Sequence, residues 1–423
     1  MAWHFSRSDL SRFVTDLIVD EVAHLRPAAT SLPALPWAPE LAFDEQGLGL
    51  DSLERLAVAS ALTEALHLHE SGCEDLLLAR QTFGEWLDVA ASGLAQFDAR
   101  LTFRTSGSGG QAKPCAHALD ALQQEAEHLA TLTPGARRVL SAVPSHHIYG
   151  FLFTVLLPAR LGCAEVIDVR RATPQALARM LRPGDLVISH PAHRALVARH
   201  AGHLPIGVLG VTSTAPCPDE LARRLAALGL FSLTQVYGSS ETAGIGTRTA
   251  AGTGFRLMPF WSRVPADQHR LCRVAPDGST RLHVPQDRLT WTRDGEFTVC
   301  GRIDDAVQVG GVNVSPAHVR GVLLAHPQVA DAVVRLMQPE EGLQLKAFVV
   351  PAPGTDTAAL KQALWPWTAA RLTAPERPKA FALGDEIPRI AMDKLADWPL
   401  VPSRLLPRAV SRLSAASATG EAV

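Results

Sequence analysis

Nine consecutive residues, Thr105-Ser106-Gly107-Ser108-Gly109-Gly110-Gln111-Ala112-Lys113, combine three glycines, four hydroxyl or amide side chains and one lysine. Glycine lets successive backbone N–H groups turn toward one point, and hydroxyls with an ammonium add donors around it, so the stretch has the makings of a polyphosphate cradle. The same composition suits a flexible turn between strands, and the loop alone does not choose between the two. A Walker-type loop is excluded, because it needs glycine where Ala112 stands and Ser or Thr where Pro114 stands. Three further stretches cluster functional groups: Pro144-Ser145-His146-His147-Ile148-Tyr149-Gly150, then Tyr237-Gly238-Ser239-Ser240-Glu241-Thr242, then Asp287 to Val314, which contains Gly301-Arg302-Ile303-Asp304-Asp305. Each is an ordinary loop or strand end by itself. Their order and spacing along one chain carry the signal.

These groups need elements to hold them. Leu101-Thr102-Phe103, just before the loop, reads as a short strand. Beyond Phe97, strand-like and helix-like segments alternate, among them Val139 to Val143, Ala164 to Val169, Leu186 to Ser189 and Ile206 to Val211, which predicts a mostly parallel α/β core. Ahead of that core, apolar residues recur at helical spacing from Ser8, a candidate N-cap, to about Leu25. A proline-rich connection follows from Pro27 to Pro39, and further helices are expected after Asp51-Ser52-Leu53 and from Thr82-Phe83-Gly84-Glu85-Trp86. This block resembles an acyl carrier protein, with Ser52 on the serine that takes a phosphopantetheine arm; Asp51 and Ser52 serve equally well as a helix cap. Past Gly301, two strand candidates lie between Ala330 and Val350, before a helix around Ala358 to Ala370.

In order and spacing, the loop and the three stretches resemble the adenylate-forming superfamily of acyl- and aryl-CoA synthetases, nonribosomal adenylation domains and luciferases, over roughly Leu101 to Trp398. That resemblance implies attack by a carboxylate on the α-phosphorus of ATP, giving an acyl-adenylate and pyrophosphate, then capture of the acyl group by a phosphopantetheine thiol of a carrier protein or CoA. It places Thr105, Ser106, Gly107, Ser108, Gly109, Gly110 and Lys113 in the phosphate loop, with Gly109 and Ala112 where threonine and proline are usual. Ser213 and Thr214 fall where adenine stacks, and Tyr237, Gly238 and Ser240 along the nucleotide. Glu241 falls on the magnesium ligand, a fitting group because Mg2+ takes oxygen ligands while bridging phosphates. Asp287 falls on the ribose-binding aspartate, since a carboxylate accepts from both hydroxyls of a diol, and Arg302 adds a donor. His147 matches the histidine that faces the substrate carboxylate, although a satisfied core histidine is the plain alternative. Ile387-Pro388-Arg389-Ile390-Ala391-Met392-Asp393-Lys394 resembles the C-terminal signature whose lysine, here Lys394, bridges carboxylate and α-phosphate; Asp393 stands where glycine is usual. Asp304 falls on the hinge about which the small domain turns, so that the lysine leaves before the thiol enters.

The expected fold is α/β: a truncated adenylate-forming core with a small mobile α+β C-terminal domain and a helical carrier-like N-terminal domain. Its expected bounds are 1–97 for the carrier-like region, 98–301 for the nucleotide- and substrate-binding core, 302–400 for the mobile domain and 401–423 for a disordered tail. Truncation is expected because only about a hundred residues precede the phosphate loop. A chain of 423 residues, 47% apolar with a formal charge of −2, exceeds one ordinary core and gives no electrostatic case for a nucleic-acid partner. With no long apolar run, neither membrane insertion nor a leader is expected, which places the protein in the cytoplasm. Six scattered cysteines without a Cys-x-x-Cys pair are expected as buried free thiols. The run Val309 to Pro316 and the end Lys394 to Trp398 look most like aryl-acid ligases of arylpolyene and xanthomonadin-type pigment clusters, implying a hydroxybenzoate-like acid loaded onto a carrier protein. A CoA ligase would differ only in its acceptor thiol, and a non-catalytic nucleotide-binding or tethering homologue would suit the departures at Gly109, Ala112 and Asp393.

Overall fold

The computed structural model describes residues 6–26, 32–105, 113–163, 165–249, 251–265, 267–293, 295–303, 306–338, 341–390, 394–395 and 398. Ser106 to Gly110, Asp304, the Lys394 side chain and the 401–423 tail lie outside the described residues.

A hairpin of β1 (Arg100–Arg104) and β2 (Pro114–Ala118) carries the glycine-rich loop at its tip. Behind it stands a nine-stranded sheet. Its parallel half consists of β3 (Arg138–Ser141), β4 (Val166–Asp168), β5 (Asp185–Ser189), β6 (Leu209–Thr212) and β7 (Ser232–Ser239), ordered β4-β3-β5-β6-β7. Leu186, Val187 and Ile188 are buried in succession, the near-continuous apolar run of a strand covered on both faces. The Ile206 start expected for β6 is a turn; Ile206 is 86% exposed and the strand begins at Leu209. Beyond β7 the sheet turns antiparallel through β8 (Ala243–Arg248) and β9 (Phe255–Leu257). A separate three-stranded sheet of β10 (Trp261–Val264), β11 (Asp267–Val274) and β12 (Thr280–His283) follows, and the chain then returns to the large sheet with β13 (Asp287–Arg293) and β14 (Glu296–Arg302).

The N-terminal helices are part of this body. In α1 (Arg7–Leu25), Leu10, Phe13, Val14, Leu17 and Ile18 recur at i, i+3, i+4, i+7 and i+8 and are all buried. Each such side chain contributes roughly 1.5–3 kcal/mol by leaving water. Phe13 meets Phe151 edge-on at 5.8 Å, and Phe151 lies 5.2 Å from Phe103 of β1. With α2 (Ser52–Leu66), α3 (Glu74–Ala79) and α4 (Phe83–Gln96), these residues belong to one continuous core that reaches Phe297 on β14. The expected separate carrier-like domain is thereby corrected: the helices pack on one another, but their buried residues continue into the core of the adenylation body through β1 and the helix at Ile148 instead of closing a core of their own. Asp51 acts as a helix cap, its carboxylate accepting from the N–H groups of Leu53 and Glu54 at 2.9 and 2.8 Å. Glu54 receives the Asp51 N–H at 3.0 Å, completing a capping box, and Arg26 grips its carboxylate. Ser52 is the exposed first residue of α2. Ser6 rather than Ser8 caps α1, accepting from the Asp9 N–H at 3.1 Å.

After α5 (Leu119–Leu132) and β3 comes a helix from Ile148 to Leu161, widened to a π-turn over Leu152–Leu156. Pro158 has no N–H for the Thr154 carbonyl, and Arg12 of α1 supplies the missing donor at 2.7 Å. The first turn of this helix is pressed against the preceding loop. A Cβ on Gly150 would lie 1.8 Å from the Pro144 carbonyl oxygen. We expect Gly150→Ala to cost about 1–3 kcal/mol through overpacking, read as a lower urea midpoint at unchanged slope.

The C-terminal unit has its own core. A hairpin of β15 (Val307–Val309) and β16 (Val312–Val314) turns on Gly310 and Gly311, both with positive φ as a two-residue hairpin turn requires. Helices Pro316–Leu324 and Thr357–Ala369 then pack on β17 (Val329–Leu336), β18 (Leu345–Pro351) and β19 (Ala380–Leu383), burying Val319, Leu323, Val349, Leu360 and Leu364 together. All six cysteines are free, as expected, but only Cys73 and Cys217 are buried, and Cys300 is exposed. Among the described residues, no helix is long and apolar enough to cross a membrane.

Candidate active site

A cleft of about 730 Å³ opens at the carboxyl ends of β5, β6 and β7, the place where open α/β sheets bind ligands. The two neck residues of the glycine-rich stretch, Thr105 and Lys113, border it. Thr105 N–H donates to the Lys113 carbonyl at 3.0 Å, and Lys113 N–H donates to Thr105 Oγ at 3.1 Å, so both residues face the cleft from one rim.

Facing them is the reversal between β7 and β8. Gly238 sits at an irregularity in the pairing, where a Cβ would lie 2.1 Å from the Ala243 carbonyl oxygen. Thr242 Oγ accepts the Ser239 N–H at 3.1 Å and closes the turn. His117 on β2 donates from Nε2 to the Ser240 carbonyl at 2.6 Å, tying the stem of the loop to this turn. Burial pushes the His117 imidazole down to about 4, so that nitrogen stays a neutral donor near pH 7. Glu241, at the tip, is half-buried and lines the cleft; among the described residues no hydrogen bond or ion pair engages its carboxylate. Its charge adds to burial in raising the nearby Cys115 thiol to about 11. An unengaged, half-buried carboxylate beside a lysine and hydroxyls is a fitting ligand for Mg2+.

Asp287 and Arg302 are cross-strand partners on β13 and β14, and both border the cleft. Tyr237 lies behind them and is not itself on the cleft wall; its hydroxyl donates to Asp287 Oδ2 at 2.9 Å and fixes that carboxylate. Burial first, then the Asp287 charge, hold the Tyr237 phenol far above its ordinary pKa. At the end of β6, Ser213 Oγ donates to the Val236 carbonyl at 2.8 Å, and Thr214 takes φ = 75°. A β-branched residue in the left-handed region is strained, as is Ala243 at φ = 57° across the cleft. Gly311 approaches Thr214 so closely that a Cβ there would lie 2.8 Å from Thr214 Oγ.

His147 occupies the N-cap position of the helix without a side-chain cap hydrogen bond, and its exposed side chain lines the cleft. Its surroundings first, and neighbouring His146 second, push its imidazole well below the usual histidine range, so the ring is neutral at physiological pH. The loop that carries it is pinned from α1: Asp16 Oδ2 accepts from both N–H and Oγ of Ser145 at 2.7 Å, and Asp16 Oδ1 meets Arg170 at 2.6 Å. His146 lies 3.5 Å from Asp20 of the same helix.

The structure therefore brings Thr105, Lys113, His147, Ser213, Thr214, Gly238, Ser240, Glu241, Asp287 and Arg302 to one cleft, with Tyr237 directly behind. Lys394 is described only in its backbone, where it pairs with Ile390 in a two-stranded ribbon. Several cleft residues were not singled out from the sequence, among them Tyr149, Arg104 and Glu125. Tyr149 forms part of the wall, its hydroxyl donating to the carbonyls of Ser189 and Val211 at 2.9 and 3.1 Å. Arg104 is held by Glu21 and Glu64. Glu125 lies fully buried on α5. Only Glu125 left a usable signal: it is an acid within the apolar stripe Leu119, Leu122, Ala126 and Leu129.

A cleft of mixed polar and apolar lining at the carboxyl edge of an open α/β sheet, bordered by a small C-terminal unit, suits a ligand with both charged and apolar parts, and comparison gives the chain a family. Residues 54–267 match the AMP-binding enzyme model, and residues 319–394 match the AMP-binding enzyme C-terminal domain. The chain belongs to the AMP-binding enzyme family of AMP-forming acid–thiol ligases. It is 41% identical over 369 residues to a 4-coumarate–CoA ligase of Cereibacter sphaeroides, covering 86% of this chain and 87% of that enzyme. A 4-coumarate–CoA ligase of Halorhodospira halophila is 40% identical over 390 residues, 92% of this chain and 98% of that enzyme. The fold is shared with Bacillus subtilis o-succinylbenzoate CoA synthetase, at a TM-score of 0.58 and 18% identity over 92% of this chain and 91% of that one. Two expectations change. These relatives bear the names of CoA ligases rather than pigment-cluster carrier-protein ligases, and the expected truncation finds no support in a match that covers 98% of the Halorhodospira enzyme.

Proposed function

We propose that this protein activates a hydroxylated aryl acid, of the 4-coumarate type, as its acyl-adenylate and passes the acyl group to the thiol of CoA. The observation that carries this reading is the convergence on one cleft of the loop neck, Glu241 and the Asp287–Arg302 pair, with Tyr149 and Phe153 as an aromatic wall. Relatives at 40–41% identity bearing the name 4-coumarate–CoA ligase favour CoA as the acceptor over a carrier protein.

On this reading Thr105, Lys113 and the loop between them hold the phosphates of ATP. Asp287, fixed by Tyr237, accepts from the ribose hydroxyls, with Arg302 opposite. Ser213 and Thr214 flank the adenine, and Ser240 donates toward the α-phosphate. Glu241 would hold Mg2+, which neutralises phosphate charge. Attack joins two anions, so preorganised donors and cations aimed at the reacting phosphorus are the main catalytic means. His147, neutral and at the cleft wall, offers the incoming carboxylate a hydrogen bond without competing for a proton. Lys394 supplies the mobile cation, and Asp304 is the hinge that withdraws it.

The test is ATP–pyrophosphate exchange across aryl and fatty acids, followed by thioester detection with CoA and with a phosphopantetheinylated carrier protein. We expect exchange with 4-coumarate and a CoA thioester as product. Thioester on the carrier alone would overturn the acceptor, and no exchange with any acid would point to a nucleotide-binding homologue without ligase activity.

A further inference from the structure

Glu125 is the one fully buried carboxylate that borders the cleft among the described residues. Its Oε1 accepts the Gly244 N–H at 2.9 Å, an approach open only because residue 244 is glycine: a Cβ there would lie 2.4 Å from that oxygen. Oε2 is buried without a hydrogen-bond partner. Arg273 Nη1 forms a long ion pair with this same Oε2 at 3.5 Å, while its guanidinium donates to the carbonyls of Thr242 and Ala121 and stacks over Phe260 and Trp261. The neighbouring cleft wall is apolar, formed by Ile148, Leu152, Phe153 and Ala243. A buried carboxylate oxygen with only a long ion pair and no hydrogen bond is incompletely compensated, and a bound molecule bringing a donor to it would lower that cost. Burial raises the Glu125 carboxyl to about 7 while Arg273 pulls it down, and either protonation form presents an oxygen that accepts from a hydroxyl.

Building on the aryl-acid reading, we infer that Glu125 is a specificity-determining residue: its Oε2 accepts a hydrogen bond from a hydroxyl on the substrate ring, and through it the enzyme prefers hydroxylated aryl acids to otherwise identical acids lacking that group. A site made to pair a substrate hydroxyl discriminates strongly against its absence, because the buried partner is then left empty. Gly244 is part of the same device, since it lets the carboxylate rest against the backbone and leaves one oxygen for the ligand.

The experiment measures kcat/KM for 4-coumarate and for cinnamate, with the wild type, Glu125→Leu and Glu125→Gln. The quantity read is the ratio between the two acids, because a loss of general packing lowers both alike. We expect the wild type to favour 4-coumarate and Glu125→Leu to lower that preference by roughly 10- to 100-fold, the worth of a hydrogen bond to a charged group. Glu125→Gln keeps the shape and a neutral acceptor, so it should fold where leucine does not, and should lower the ratio by about fivefold. A ratio unchanged in both variants overturns the inference while leaving the aryl-acid reading intact. A wild type that turns over neither acid overturns that reading, and the inference with it.

Discussion

Replacing Lys394 with alanine should lower acid-dependent ATP–pyrophosphate exchange by roughly 100- to 1,000-fold, the usual cost of removing one preorganised group that meets developing charge. Thioester formation from a supplied acyl-adenylate should stay within a few-fold of wild type. The asymmetry follows from the charges. In the first half-reaction a carboxylate must approach a polyphosphate, and a cation between them offsets the repulsion. In the second, the adenylate is already formed and the attacking group is a thiol, so the same cation has nothing to neutralise. The C-terminal family match ends at residue 394, and the backbone there pairs with Ile390 in a short ribbon, so the lysine has a defined strand beneath it despite Asp393 in place of the usual glycine. Measuring both half-reactions separates chemistry from damage. Equal loss in the two would indicate a disturbed fold, and retained exchange would remove Lys394 from the mechanism.

Much of the cleft was legible because its groups are local in sequence. The neck at Thr105 and Lys113 and the turn at Tyr237 to Glu241 are each built from residues close in sequence, and the apolar runs of β5 and β6 announce strands covered on both sides. The N-terminal block was misread for the same reason. An Asp-Ser-Leu helix start looks identical whether it presents a serine to a modifying enzyme or merely caps a helix; the difference lies in where the helix sends its apolar stripe. Leu10, Phe13 and Ile18 lie in a core that α1 shares with α2, α4 and the helix at Ile148, contacts that no window of sequence contains. Asp16 makes the point most sharply, since its carboxylate orders Ser145 from 129 residues away and so sets the loop that presents His147. Glu125 was visible as an acid on an apolar helix face, yet only the fold reveals that this face borders the cleft.

Gly311→Ala should separate the two half-reactions in the opposite sense to Lys394→Ala. In the arrangement described, the turn of the β15–β16 hairpin rests in the cleft against Thr214, and a methyl group at residue 311 would lie 2.8 Å from Thr214 Oγ. Gly311 also has φ = 90°, a conformation that costs a non-glycine residue roughly 1–2 kcal/mol. Thr214 is itself strained at φ = 75° and cannot relax without moving the end of β6. The variant should therefore disfavour seating of this hairpin. If the seated hairpin is the orientation in which the thiol attacks, with Lys394 withdrawn, CoA thioester formation should fall about tenfold for each 1.4 kcal/mol of lost docking, while pyrophosphate exchange stays close to wild type. Gly310→Ala supplies the control. Residue 310 has φ = 59° but open space around its Cβ position, so its alanine carries the backbone cost without the clash. A larger thioester defect at 311 than at 310, with exchange preserved in both, ties the effect to the contact with Thr214; equal defects would mean that strain in the turn, and not docking of the hairpin, limits the second step.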